Sequence, residues 1–130
     1  MRIYIGYKYT NVEDKQGLIQ KLLGLAASFE RAGHQTFILG RDIQNWKGSL
    51  PLWKTFPAII GNMLKSDAFV AYVTSQVPSR GLEVEKALSS ALGKKRLVVS
   101  EIPEIGENIV KVEAAAGIQN TANVILARLK

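Results

Sequence analysis

Residues Ala68-Phe69-Val70-Ala71-Tyr72-Val73 form an unbroken apolar run, preceded by Ser66-Asp67 and followed by Thr74-Ser75. A strand with one wet face alternates apolar and polar residues, whereas a run without alternation is buried on both sides. A strand of this kind is central in its sheet and needs helices above and below it. That is the arrangement of a parallel α/β sheet, and the rest of the chain carries the spacing that supplies it.

Ile3 to Ile5 begin a short apolar strand, and Gly6 to Asp14 read as a polar and aromatic loop. Leu18, Leu22, Leu25 and Phe29 fall at helical spacing, joined by Ile19, Leu23 and Ala26, and Gly33 stops that helix. Thr36 to Leu39 reads as a strand and Gly40 to Pro51 as a long loop carrying Arg41, Asp42 and Trp46. A helix is expected from Trp53 to Lys65, with Pro57 near its first turn. A further helix is expected from Gly81 to Leu92, with Val84, Ala87, Leu88 and Ala91 toward the sheet and Gly93 as its stop. Leu97 to Val99 and Ile109 to Val112 read as strands. Ile118, Ala122, Ile125 and Leu129 mark a terminal amphipathic helix. Strands alternating with helices imply right-handed crossovers. The expectation is an α/β three-layer sandwich with a doubly wound, mostly parallel five-stranded sheet in the flavodoxin/Rossmann-like order 2-1-3-4-5. With no repeat and no dividing linker, residues 1–130 read as a single domain.

The chain has no cysteine, which excludes a thiol nucleophile, a redox pair and a cysteine-based zinc site. No apolar run approaches a membrane span, and Met1-Arg2-Ile3-Tyr4-Ile5-Gly6 is too strand-like for a secretory leader. The expectation is a soluble, cytoplasmic protein without a membrane partner. The net charge is +6, but the bases are scattered, and the only run, Lys94-Lys95-Arg96, falls at a helix–strand junction. A charged connection explains that run, so a nucleic-acid partner is not expected. A basic balance suits a small anionic ligand, because a cleft focuses the field.

In open α/β sheets, ligands bind beyond the carboxyl ends of the strands at the switch point of the topology. Those ends are the loops Gly6–Asn11, Thr74–Gly81 and Ser100–Gly106. In the second, Ser75 and Ser79 offer hydroxyls, Arg80 a cation, Gly81 close backbone approach, and the following helix its N-terminal N–H groups. Glu83 lies in the first turn, where the helix dipole favours the carboxylate. Such a group can attack a sugar carbon, or simply cap the helix, or pair with Lys86. Ser79 is equally an ordinary N-cap. Glu85 lies about 200° around the helix from Glu83, so it is read as solvated and the two do not make an acid pair. Tyr7 and Tyr9 either stack on a base or pack beneath the loop, and Trp46 and Trp53 carry the same alternatives. No G-x-G-x-x-G follows the first strand and no P-loop occurs. The lone His34, in the turn before the second strand, reads as structural.

Three segments carry a family resemblance. They are Arg2-Ile3-Tyr4-Ile5-Gly6; Ser66-Asp67 leading into Ala68–Val73; and Ser79-Arg80-Gly81-Leu82-Glu83-Val84-Glu85-Lys86-Ala87 leading to Gly93-Lys94-Lys95. In these the chain resembles the nucleoside 2-deoxyribosyltransferase family, including its nucleotide N-glycosidase branch. The resemblance implies that Glu83 matches the nucleophilic glutamate, which attacks the anomeric carbon to form a glycosyl-enzyme ester resolved by water or another base. Gly6, Tyr7, Tyr9, Asn11, Ser79, Arg80 and Gly81 would then bind a nucleoside or nucleotide, with no cofactor and no metal, in a homodimer or larger homo-oligomer. The chain departs from the pattern in three places. Pro57–Asn62 holds no acid, the Tyr7–Asn11 loop is not of the Gly/Pro/Ser type, and Glu85 stands where glycine is frequent. Those departures keep two other readings on the same scaffold in view: a nucleotide-sensing module without turnover and a TIR-like NAD-cleaving domain.

Overall fold

The computed structural model describes residues 1–7, 15–42, 52–73, 80–100, 109–111 and 117–129. The elements are β1 (Arg2–Tyr7), α1 (Lys15–Arg31), β2 (Gln35–Ile38), α2 (Leu39–Asp42), α3 (Leu52–Lys65), β3 (Ala68–Val73), α4 (Arg80–Ala91), β4 (Lys95–Ser100), β5 (Ile109–Lys111) and α5 (Gly117–Leu129). The α/β class and the parallel sheet agree with the reading of the sequence. Strands lie in the order β2-β1-β3-β4-β5, every pair parallel. β3 is buried along its whole length, as its unbroken apolar run requires.

Successive side chains of a strand point to opposite faces, and two apolar clusters result. On one face Ile3, Ile5, Val70 and Val99 pack against Leu18, Leu22, Leu25 and Phe29 of α1 and Ala122, Ile125 and Leu129 of α5. On the other, Tyr4, Phe37, Phe69, Ala71 and Val73 pack against Met63 of α3 and Leu82 of α4. Each fully buried Leu, Ile or Phe contributes about 1.5–3 kcal/mol. α5, the terminal amphipathic helix, is engaged in this core through Ala122, Ile125 and Leu129.

Gly33 and Gly93 stop their helices as expected, with φ of +92° and +68°. Both build the same cap. The N–H of His34 donates to Phe29 O at 3.1 Å and that of Gly33 to Glu30 O at 3.0 Å, while Lys94 and Gly93 repeat this on Ser89 and Ser90 at 3.0 and 3.1 Å. Asp67 ties the start of β3 to β1, accepting from the Arg2 N–H and donating its own N–H to Arg2 O, both at 2.8 Å. The Lys94–Arg96 run serves the helices. Lys94 Nζ donates to Leu64 O at 3.2 Å, Lys95 Nζ to Leu129 O at 2.8 Å, and the Arg96 guanidinium to Lys86 O at 3.4 Å.

Several expectations need correction. Gly6 and Tyr7 belong to β1 rather than to the loop after it. The segment after β2 opens with the short helix α2, held because Asp42 accepts from the Ile38 N–H at 2.9 Å and Arg41 pairs with both Asp42 and Glu30. Pro57 lies inside α3, beyond its first turn. Leu23 is exposed on α1. On α4, Ala87 and Ala91 face outward, and the buried positions are Leu82, Glu85 and Ser89. The helix is rotated because Leu82 and Glu85, not Val84 and Ala87, lie on the face that meets the sheet.

Candidate functional site

β1 and β3 are adjacent, yet the chain leaves them over opposite faces, β1 toward α1 and β3 toward α4. This is the switch point. A crossover helix runs back against its strands, so the N-terminus of α4 lies at the edge where the strands end. Tyr4 and Gly6 of β1 sit beside Phe69 and Ala71 of β3 in register, and all four face α4. A Cβ added at Gly6 would come within 2.8 Å of the Phe69 ring and 3.1 Å of Leu82 Cδ1. Only glycine permits β1 to approach these side chains so closely.

Three residues beyond Leu82, on the same side of α4, lies Glu85. It is 5 % exposed, which overturns the expectation of a solvated side chain. Burial pushes its carboxyl up to about 7, against a smaller lowering by the Tyr4 hydroxyl, which is placed to donate to it. Tyr4 is itself fully buried, its ring tilted against Phe37 at 4.9 Å and Phe69 at 5.7 Å. Its hydroxyl is buried without a hydrogen-bond partner and is held far above its ordinary pKa, by burial first and then by Glu85. A carboxyl with a raised pKa and a phenol without a partner, enclosed together at the switch point, make a polar pair beside an apolar cluster.

Glu83 is placed differently. Its side chain is 61 % exposed and lies 3.7 Å from Lys86 Nζ, the i,i+3 pairing open to it from the sequence. Gly6 faces α4. Tyr7 is half-buried and packs against the cluster on the α1/α5 face. Arg80 and Gly81 open α4. Tyr9, Asn11, Ser75, Ser79 and Trp46 lie outside the described residues. His34 is at the opposite edge of the sheet, with Nδ1 3.1 Å from the Met1 amino group. Among the described residues no group of three or more His, Asp or Glu side chains could hold a metal ion, and no helix is long and apolar enough to cross a membrane.

The fold is shared with known proteins. A CMP N-glycosidase from Clostridium botulinum superposes with a TM-score of 0.65 over 98 % of this chain and 99 % of its own, at 13 % identity. The chain has the fold of a nucleotide N-glycosidase and of nucleoside 2-deoxyribosyltransferases. A 2-deoxyribosyltransferase from Bacillus psychrosaccharolyticus matches with a TM-score of 0.64 over 92 % of this chain and 91 % of its own, at 17 % identity. One from Leishmania mexicana matches with 0.58 over 82 % and 75 %, at 18 % identity. These are the proteins the sequence resembles. No protein-family model and no curated protein matches the sequence.

Tyr4 and Glu85 were the residues that sequence reasoning passed over. A signal for Glu85 existed in Leu82-x-x-Glu85-x-x-Leu88-Ser89-x-x-Leu92, an apolar stripe at spacings of three and four that a carboxylate interrupts.

Proposed function

We propose that this chain cleaves or transfers the N-glycosidic bond of a nucleoside or nucleoside 5′-monophosphate through a glutamate nucleophile, and that the nucleophile is Glu85. The observation that carries this reading is the enclosed Tyr4–Glu85 pair at the switch point. A Glu85 oxygen attacks the anomeric carbon while the bond to the base nitrogen breaks and its electrons leave with the base. Water or a second base then attacks the same carbon, releases the sugar and restores the carboxylate. The Tyr4 hydroxyl holds the carboxylate in line, and the cationic sugar of the transition state favours its ionised form. Glu83, the sequence's match to the nucleophile, is accessible in the first turn of α4, 3.7 Å from Lys86 Nζ, and is the other carboxylate proposed for that role.

The charge of +6 and the position of Arg80 at the start of α4 favour a phosphorylated substrate, with Ser79, Gly81 and the helix N-terminus around the phosphate. The printed activity of the neighbour from Clostridium botulinum, a CMP N-glycosidase, points the same way. Gly6, Tyr7, Tyr9 and Asn11 are proposed to line the base and sugar, in a cytoplasmic homodimer or larger homo-oligomer.

The test is a panel of ribo- and deoxyribonucleosides, their 5′-monophosphates and NAD, with base release followed by chromatography. Release that vanishes in Glu85→Gln and persists in Glu83→Gln is expected. Loss in Glu83→Gln alone would return the nucleophile to Glu83. No release from any compound by folded protein, with a free base supplied as acceptor, would reject the enzymatic reading.

A further inference from the structure

We propose that Arg41 and Asp42 form a latch that stands in for a missing strand at the outer edge of β2, and that the strand they exclude is β2 of a second copy of this chain. The inference does not depend on which carboxylate acts in glycosidic chemistry. β2 is the end strand of the sheet, with β1 on one side only. Successive residues of a strand turn their backbone groups to opposite sides. The Gln35 N–H donates to Met1 O at 2.9 Å, so Gln35 and Phe37 serve β1. Thr36 and Ile38 therefore turn their N–H and C=O groups outward, away from the sheet. Gln35–Ile38 contains no charge, no proline and no glycine. Apart from its shortness, the strand itself carries none of the usual guards of a sheet edge.

α2 supplies the guard. Arg41 Nη2 donates to Thr36 O at 3.0 Å, and the Asp42 carboxylate accepts from the Ile38 N–H at 2.9 Å. One donor and one acceptor are thus presented to the strand, as a neighbouring backbone would present them. Two further bonds of 3.0 Å, from Nε to Oδ1 and from Nη2 to Oδ2, lock the two side chains to each other. Glu30 of α1 holds the pair from the side, accepting from Arg41 Nη1 at 3.3 Å and from the Thr36 hydroxyl at 2.6 Å.

The two backbone groups that the latch occupies are complementary to each other across a two-fold axis. In an antiparallel pair, residues that face each other can exchange both N–H···O=C bonds. With the axis at Phe37, Thr36 of one copy faces Ile38 of the partner subunit. Thr36 O then accepts from that Ile38 N–H in place of Arg41, and each Ile38 N–H donates to a Thr36 O in place of Asp42. The contact is isologous and closes as a pair, joining two sheets into one. Latch and second copy compete for the same atoms. The latch is intramolecular and always at high local concentration, so it prevails in the wild-type chain.

Sedimentation velocity over a concentration series, with amide exchange followed by NMR, tests this. At equal protein concentration, Asp42→Ala and Arg41→Ala should each raise the weight-average mass toward about twice that of wild type. In dilute Asp42→Ala the Ile38 amide should exchange about tenfold faster than in wild type, and its protection should return as the protein is concentrated. Adding Thr36→Pro to either variant removes an outward N–H that the sheet does not use, and should restore the wild-type mass. A mass equal to that of wild type in both single variants, up to millimolar protein, overturns the latch. If one of them does not fold, the other decides in the same sense. Association that the added proline leaves undiminished, or that leaves the Ile38 amide unprotected, overturns β2 as the contact.

Discussion

Replacing Glu85 by glutamine should make the protein more stable at neutral and alkaline pH. The folded chain raises this carboxyl from its ordinary 4.5 to about 7, with burial the dominant cause. The native state therefore binds this proton more tightly than the unfolded chain does. Between pH 4.5 and about 7 the native state holds more protons, so stability falls as pH rises across that window and is level again above it. Each unit corresponds to about 1.4 kcal/mol, so the full loss is on the order of 3 kcal/mol. Glutamine has nearly the same shape and carries no charge to desolvate. Urea unfolding of both proteins at pH 4, 6 and 8 gives the comparison. Near pH 4 the two should agree to within about 0.5 kcal/mol, and at pH 8 the variant should lead by up to ~3 kcal/mol. Other groups titrate alike in both, so the difference isolates Glu85. A difference that does not vary with pH, or a variant weaker at pH 8, would refute the burial argument and with it the enclosed site.

Other consequences are open to direct measurement. If ionised Glu85 is the nucleophile, kcat/KM should climb as pH rises through about 7, and a flat profile would exclude that group. Tyr4→Phe removes the hydroxyl that lowers the Glu85 pKa, so the climbing limb should shift to higher pH while the fold persists. Gly6→Ala places a Cβ 2.8 Å from the Phe69 ring and should cost about 1–3 kcal/mol in denaturant unfolding; a loss too small to measure would mean the sheet gives way easily there. Lys95→Met removes the bond to Leu129 O and should cost about 0.5–1 kcal/mol, with helix α5 exchanging its amide hydrogens faster.

The architecture was legible because its main elements announce themselves twice. Ala68–Val73 has an apolar run that no other element can accommodate, and Leu18–Phe29 has both its spacing and its stop at Gly33. Strand ends were less legible. Gly6 and Tyr7 look like loop residues, yet β1 continues through them because Ala71 and Tyr72 of β3 pair with them across the sheet. The site was legible as a place but not as residues. Hydrophobic patterning treats a carboxylate as a surface residue, and so it turned α4 to bring Val84 and Ala87 inward and Glu85 out. Position 85 violates the pattern, and its burial is visible only once Tyr4 is known to stand opposite. Glu83 drew attention both as a first-turn carboxylate and through its match to the resembled family's glutamate. A helix's first turn favours any carboxylate, whatever its chemistry.

The cations of Lys94, Lys95 and Arg96 act as a rivet through the whole sandwich. Lys95 reaches α5 on one face of the sheet, while Lys94 and Arg96 reach α3 and α4 on the other, all from the start of β4 and the residue before it. Both helical layers are thus indexed to one corner of one strand. Acetylation of the two lysines would remove two of those three anchors at once. The layers would then loosen together at the start of β4, with the bond from Arg96 to Lys86 O left as the remaining tie to α4.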